Sequence, residues 1–83
     1  MRVRVRWMAV LRERMGEPVT VVELPDGATV RDLRAYWEER RPDLHLYWSS
    51  IRWAREDVYI DRDDEPLQDG EVLYAIPPVS GGL

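Results

Sequence analysis

The chain has 83 residues, no cysteine and a formal net charge of −4 at pH 7. A chain of this length forms one small domain, burying about 60% of the surface that the unfolded chain exposes. The missing thiols exclude disulfides, thiolate zinc sites and iron–sulfur clusters on this polypeptide. The acidic balance argues against nucleic-acid binding and favours a basic protein partner. Because no run of about 18 apolar residues occurs, we expect a soluble, cytoplasmic protein without membrane contact.

Two strands separated by a helical turn are predicted at the start of the chain. Residues 2–10 alternate apolar and polar side chains with the period of a strand that has one buried face. Residues 11–15 are predicted to form a helical turn that ends at Gly16. Residues 19–24 are rich in β-branched side chains and should pair with the first strand as a hairpin. The apolar positions of the first strand are Val3, Val5, Trp7 and Ala9.

The main helix is predicted after a turn at residues 25–27. Thr29 and Asp32 have the spacing of a capping box, which marks the start of a helix. Pro42 should end that helix near residue 40 or 41, because the residue before a proline disfavours helical geometry. The positions with helical spacing on its apolar face are Val30, Leu33, Tyr36 and Trp37.

The second half of the chain predicts three further strands. Residues 44–50 are apolar without a clear period and are interpreted as a loop or short turn. Short strands are expected at 51–55 and 57–61, a turn at 66–70 and a last strand at 71–76. This order favours an α+β fold of the ubiquitin-like β-grasp type, with a mixed sheet of four to five strands around one main helix. In that fold the first and last strands pair in parallel at the centre.

The end of the chain differs in composition from the rest, which divides it into a β-grasp domain (1–76) and an extended C-terminal tail (77–83). Pro77 and Pro78 fix the backbone angle φ and should hold the base of the tail extended. Gly81 and Gly82 lack a Cβ atom, so their backbone could approach catalytic groups of another protein closely. A glycine pair near a terminus is usually only a flexible end, and here its setting after Pro-Pro-Val-Ser favours a reactive end.

Four segments together resemble a known family. They are Ala9–Glu13 followed by Gly16, Leu24–Leu33, Pro66–Val72 and Ile76–Gly82. The cap and turn motifs alone are weak, but with the Pro-Pro-Val-Ser-Gly-Gly tail they resemble the small subunit of molybdopterin synthase, a ubiquitin-like sulfur carrier. The resemblance covers nearly the whole chain. The chain departs from it at Trp53–Glu56, where related carriers commonly have an Ala-Val-Asn-type strand.

The resemblance implies a non-catalytic carrier that serves in molybdenum cofactor biosynthesis and binds no cofactor itself. Gly82 would be adenylated by an ATP-dependent activating enzyme and converted to a thiocarboxylate with sulfur from a donor protein. The sulfur would pass to molybdopterin in the large catalytic subunit of the synthase. Gly81 and Ser80 would thread the tail into the partner, while Pro77, Pro78 and Val79 would contact it.

Leu83 follows the glycine pair, so the free carboxylate of this chain belongs to leucine. Either a peptidase removes Leu83 before activation, or the activating enzyme tolerates it, or the chain is not a sulfur carrier. We favour removal, because a branched side chain should crowd a channel shaped for glycine. The alternatives are a sulfur carrier or protein modifier of another pathway, such as tRNA thiolation or thiamine synthesis, and a β-grasp interaction domain that is never activated. All twelve basic residues are arginine, so lysine-linked chains of this protein are not expected.

Several other residues have side chains that could bind a metal ion or contact a partner. The segment Asp61–Glu65 does not fit a calcium loop, because Pro66 and Val72 stand where that loop needs glycine and glutamate, so it is interpreted as a solvated acidic turn without metal. His45 has no second ligand nearby and is expected at or near the surface. Trp7 and Trp37 are expected in the core. Trp48 and Trp53 could lie in the core or in a partner-binding patch.

Overall fold

The structure is a computed structural model that describes residues 1–78. Five strands form one sheet, and three helices with a single 3-10 turn pack against one side of it. The strands are β1 (Arg2–Trp7), β2 (Val19–Glu23), β3 (Arg52–Arg55), β4 (Val58–Ile60) and β5 (Val72–Ile76). The helices are α1 (Val10–Met15), α2 (Val30–Arg40) and α3 (His45–Trp48), with the 3-10 turn at Pro42–Leu44.

The sheet has the strand order β2-β1-β5-β3-β4. β1 pairs antiparallel with β2 and parallel with β5, so the first and last strands are neighbours at the centre. β3 pairs antiparallel with both β5 and β4. The predicted mixed sheet and its central parallel pair are therefore confirmed, and the architecture is the predicted β-grasp type.

The start and end of α2 follow the predicted local signals. Thr29 Oγ1 accepts a hydrogen bond from the backbone N–H of Asp32 at 3.4 Å, and Asp32 Oδ2 accepts one from the backbone N–H of Thr29 at 2.8 Å. This reciprocal pair satisfies two backbone donors that a helix start otherwise leaves without a partner. The helix ends at Arg40, two residues before Pro42.

The core between the sheet and α2 is built around tryptophan. The ring of Trp7 on β1 lies 5.1 Å from that of Trp37 and 5.9 Å from that of Trp48, measured between centroids. Trp48 and Trp53 are both almost completely inaccessible to solvent. Trp7 and Trp37 are thus in the core as predicted, and the structure resolves the open alternative for Trp48 and Trp53 in favour of the core.

The first strand is shorter than predicted. β1 ends at Trp7, and Ala9, expected to face the core, is exposed with φ of 51°, a left-handed conformation that disfavours a side chain with a Cβ atom. The chain turns at this residue, and α1 begins at Val10. The alternating pattern runs past the turn by chance, which is why residues 8–10 were wrongly assigned to the strand.

The segment 44–50, predicted as a loop or short turn, is more regular than expected. It contains the end of the 3-10 turn and the single turn of α3, and it buries Leu44 and Trp48. The indole N–H of Trp48 donates to the backbone oxygen of Arg41 at 2.8 Å. The ring of Trp48 also packs on Trp7 of β1 and Trp37 of α2, which are distant in sequence, so a local sequence pattern does not contain these contacts.

Candidate functional site

The point where the chain leaves the sheet is held from both sides. Register pairs join β5 to β1 up to Trp7 and Ala75, and to β3 up to Arg52 and Ile76. The backbone N–H of Met8 donates to the oxygen of Ala75 at 3.1 Å, one residue beyond the end of β1. The last strand therefore fixes the position of Pro77, the residue that directly follows it.

Pro77 and Pro78 follow β5 directly. Neither proline has a backbone N–H, so neither can donate to a neighbouring strand as β5 does. Pro77 is buried and Pro78 is half-buried. The base of the predicted tail therefore packs against the domain, which fixes where the tail starts.

The other predicted site residues lie beyond this point. Gly82, the predicted carrier of the activated carboxylate, Gly81 and Ser80, predicted to thread the tail, Val79 and Leu83 all fall outside the residues that the structure describes. Their predicted roles remain predictions. Of the predicted partner-contacting residues, the structure describes Pro77 and Pro78 and brings them together at the end of the central strand.

Arg41, directly after the end of α2, connects this helix to α1. Its Nη2 atom donates to the backbone oxygen of Arg14 at 3.3 Å, and its guanidinium holds both carboxylate oxygens of Asp43 at 3.0 and 2.9 Å. The hydrogen bond from Arg41 lowers the pKa of Asp43. These contacts join α1, the end of α2 and the 3-10 turn that follows it.

The acidic segment Asp61–Glu65 serves the structure. Each of its four carboxylates pairs with an arginine, and the backbone oxygens of Asp63 and Glu65 accept the N–H groups of Arg31 and Val30 at the start of α2, at 2.9 and 3.1 Å. The pairs are Asp61–Arg52, Asp63–Arg34, Asp64–Arg62 and Glu65–Arg55. Hydrogen bonds from Arg34 and Arg62 lower the pKa values of Asp63 and Asp64. Within residues 1–78, no three histidine, aspartate or glutamate side chains are grouped as a metal site requires.

Arg55 lies in Trp53–Glu56, the segment predicted from the sequence to depart from the family resemblance. Its Nη1 atom lies 2.8 Å from Glu65, its Nε atom lies 3.2 Å from Glu71, and Nη2 donates to the backbone oxygen of Pro66 at 2.8 Å. Hydrogen bonds to Glu65 and Glu71 raise its pKa. This departure thus holds the end of β3 to the loop that leads into β5.

The structure also describes the surroundings of the one histidine and the apolar character of the helices. His45 is exposed, and its Nδ1 atom lies 3.3 Å from the backbone oxygen of Pro42, as expected for a surface residue. Among the helices of residues 1–78, none has the length and apolar character needed to cross a membrane.

Residues 5–82 match the ThiS family, a match that extends through both glycines of the tail. The chain belongs to the ThiS family. This result confirms the resemblance to ubiquitin-like sulfur carriers that the motifs indicated.

Individual proteins named as molybdopterin synthase or converting-factor subunits are also similar to this chain. The chain is 35% identical over 83 residues to the "Molybdopterin synthase sulfur carrier subunit" of Chlamydomonas reinhardtii, covering 99% of this chain and 100% of that protein. The structure of a putative molybdopterin converting factor, subunit 1, from Pyrococcus furiosus superposes with a TM-score of 0.82 at 30% identity, covering 95% of this chain and 99% of that one. A chain in the complex of subunits 1 and 2 of the Helicobacter pylori molybdopterin-converting factor superposes with a TM-score of 0.71 at 29% identity, covering 99% and 100%.

The side of the sheet opposite the helices, called the outer face below, was not assigned a function from the sequence. Within the described chain no helix packs on it, since the helices lie against the core on the other side. The alternation of arginine and apolar residues in β1 predicts a strand, and it also places the arginines together on one face. The side chains of this face come from residues 2, 4 and 6 of β1, 19, 21 and 23 of β2, 52 and 54 of β3, 59 of β4, and 72, 74 and 76 of β5.

Proposed function

We propose that this ThiS-family chain is the sulfur carrier subunit of a molybdopterin synthase and acts in the cytoplasm. The observation that carries the proposal is the family match through Gly82 on a domain whose central strand ends at Ile76, directly before Pro77. The relationship to the sulfur carrier subunit of Chlamydomonas reinhardtii supports it. The domain would supply recognition and a fixed starting point for the tail, while partner proteins perform the chemistry.

The proposed chemistry starts with activation of the Gly82 carboxylate. A carboxylate is a poor acyl donor until one of its oxygens becomes part of a leaving group. Attack of the carboxylate on ATP by an activating enzyme would give an acyl-adenylate and release pyrophosphate. A persulfide of a donor protein would then displace AMP, and a thiol would cleave the resulting acyl disulfide to leave a thiocarboxylate on Gly82.

The proposed acceptor is molybdopterin precursor bound in the synthase large subunit. The relative from Helicobacter pylori was solved as a complex of subunits 1 and 2, which supports an equivalent partner for this chain. Once the thiocarboxylate sulfur has bonded to the acceptor, water would hydrolyse the acyl–sulfur bond, which leaves the sulfur on the acceptor and returns Gly82 to a carboxylate, ready for another round of activation. No cofactor needs to bind to the carrier itself in this cycle.

Leu83 must be removed in this scheme. Hydrolysis of the peptide bond between Gly82 and Leu83 would release leucine and create the carboxylate that the activating enzyme uses. The family match ends at Gly82, one residue before Leu83, which supports removal. We expect a peptidase to act on the chain before activation.

The test combines intact mass with sulfur transfer. In the native cell the mature chain should lack leucine and carry sulfur in place of one carboxylate oxygen. In a reconstituted assay, deletion of Leu83 should preserve or raise the rate of sulfur transfer, whereas Gly82→Ala in the shortened chain should lower it strongly because a Cβ atom hinders entry into both active sites.

Other outcomes would identify the alternatives. A full-length, unmodified chain in sulfur-replete cells would contradict the carrier function and favour an interaction domain. A thiocarboxylate that is delivered to tRNA thiolation or thiamine synthesis, but not to the synthase, would keep the carrier chemistry and reject molybdopterin as the product.

A further inference from the structure

The outer face of the sheet has a charge opposite to that of the whole chain. Four arginines lie on it, three from β1 and one from β3, whereas the formal net charge of the protein is −4. Arg2 pairs with Glu23 at 3.0 Å and Arg52 pairs with Asp61 at 3.1 Å. The four arginines are Arg2, Arg4, Arg6 and Arg52.

Arg4 and Arg6 have no such partner. Among residues 1–78, neither guanidinium forms an ion pair, although both side chains belong to exposed residues of the central part of the sheet. A third carboxylate near the start of β1, that of Asp69, accepts the backbone N–H of Arg2 at 2.8 Å. The positive charge that is left over therefore lies along the middle and end of β1.

This charge is set among apolar and aromatic side chains. Tyr74 and Ile76 of β5 are half-buried, and the guanidinium of Arg6 lies 5.8 Å from the centre of the Tyr74 ring. Val21 of β2 is 52% exposed. Arginine and tyrosine beside aliphatic side chains are typical of the central part of protein–protein interfaces. The outer face thus has the composition of a binding surface with a positive charge.

The length of the tail places a partner next to this face. The four residues from 79 to 82 span at most about 14 Å when fully extended. An active site that reaches Gly82 must therefore lie within roughly that distance of Pro78, which follows β5 by two residues. A folded partner that encloses the tail has to lie close to the end of β5, where Tyr74 and Ile76 continue the outer face toward Arg6.

Building on the proposed function, we propose that the outer face binds an acidic patch of the synthase large subunit, with carboxylates of the partner paired with Arg4 and Arg6. This inference reverses the expectation of a basic partner that the net charge favoured, because the charge near the exit differs from the average. Complementary charges of this kind raise the association rate and fix the orientation of two proteins. Docking in one orientation would direct the tail into the active site.

The experiment measures binding of the large subunit to the chain shortened to Gly82. The affinity of the unchanged carrier should fall as salt is raised, because screening weakens ion pairs at an interface. The double variant Arg4→Glu, Arg6→Glu should bind on the order of tenfold or more weakly at low salt, and the difference should shrink at high salt. The lysine variant Arg4→Lys, Arg6→Lys should retain most of the salt dependence.

The matched control is Arg31→Glu, which makes the same charge change on the exposed side of α2, across the sheet from the outer face. The affinity of this variant for the large subunit should stay within about twofold of that of the unchanged carrier, as expected for a distant surface charge. Thermal unfolding of each variant shows whether it is folded, and both outer arginines are exposed enough for substitution.

The outcomes separate the two proposals. If the unchanged carrier binds and transfers sulfur but the glutamate variant matches it at every salt concentration, the docking inference is wrong and the proposed function stands. An equal loss of affinity in Arg31→Glu would also overturn the docking inference, since the effect would then follow the net charge of the protein. If the unchanged carrier neither binds nor transfers sulfur, the proposed function fails and the inference fails with it.

Discussion

The two faces of the sheet are made by the same strands but have different physical tasks. On the inner face Val3, Val5 and Trp7 of β1 are completely buried against the helices. On the outer face the alternate residues of the same strand are three exposed arginines. Because side chains of a strand alternate with a period of two, one short sequence specifies both a core and a charged surface. Substitutions at neighbouring residues of β1 should therefore change either the free energy of unfolding or the binding of a partner, but not both.

The largest expected effect is at the centre of the inner face. Trp7→Ala should lower the free energy of unfolding by about 3–5 kcal/mol, because it removes a buried ring that packs on Trp37 and Trp48 and leaves a cavity. Urea unfolding followed by far-UV circular dichroism measures this change. Arg6→Ala, the neighbouring residue on the outer face, should change it by less than about 0.5 kcal/mol. Equal losses in the two variants would contradict the division of tasks between the faces.

An intermediate effect is expected for the arginine on the inner side of β3. Arg55→Ala should lower the free energy of unfolding by about 1–2 kcal/mol, because it leaves Glu71, whose side chain is 14% exposed, without its cationic partner. Arg4→Ala removes the same type of side chain from the outer face, where Arg4 forms no ion pair with any residue from 1 to 78, and should have almost no effect on stability. Thermal unfolding of the two variants side by side measures the contrast. A loss in Arg4→Ala as large as that in Arg55→Ala would show that the outer arginines also stabilise the fold.

The smallest effect depends on pH. Asp63, whose ordinary pKa is 3.8, has its pKa lowered chiefly by the hydrogen bond from Arg34. A carboxylate with a lowered pKa in the folded state contributes stability above its ordinary pKa and loses that contribution as pH falls through the folded-state value. Asp63→Asn should therefore be less stable than the unchanged protein at neutral pH by at most about 1 kcal/mol, since the pair is half exposed. The difference in melting temperature should disappear as pH falls well below 3.8.

Local signals in the sequence were enough to predict much of the fold. The capping residues Thr29 and Asp32, the period of two in β1 and the tail motif each act over a few residues, so the order of elements and the central parallel pair could be predicted. The end of β1 could not, because the turn at Ala9 interrupts a pattern that continues past it. The burial of Trp48 could not either, since it depends on rings from β1 and α2 that are distant in sequence.

The candidate site was predictable to a different degree. The roles of the tail residues beyond Pro78 stay predictions from composition and from the family resemblance, and the structure describes only the base of the tail at Pro77 and Pro78. The sequence did not indicate the positive outer face, because net charge is a sum over the whole surface. Within residues 1–78 the carboxylates at 61–65 are paired with arginines, whereas Arg4 and Arg6 of β1 form no ion pair, and the net charge does not show this difference. Only the pairing of strands shows which charges share a face.

The two ladders that hold β5 also have a mechanical consequence. A partner that pulls on the tail pulls along β5, which is bonded to the parallel strand β1 on one side and to the antiparallel strand β3 on the other. Such a load acts along the strand and so shears the hydrogen bonds of both ladders together, whereas a pull across the strand would open them one at a time. Under the proposed function, the carrier would therefore be drawn into an active site and released without the last strand being peeled from its domain.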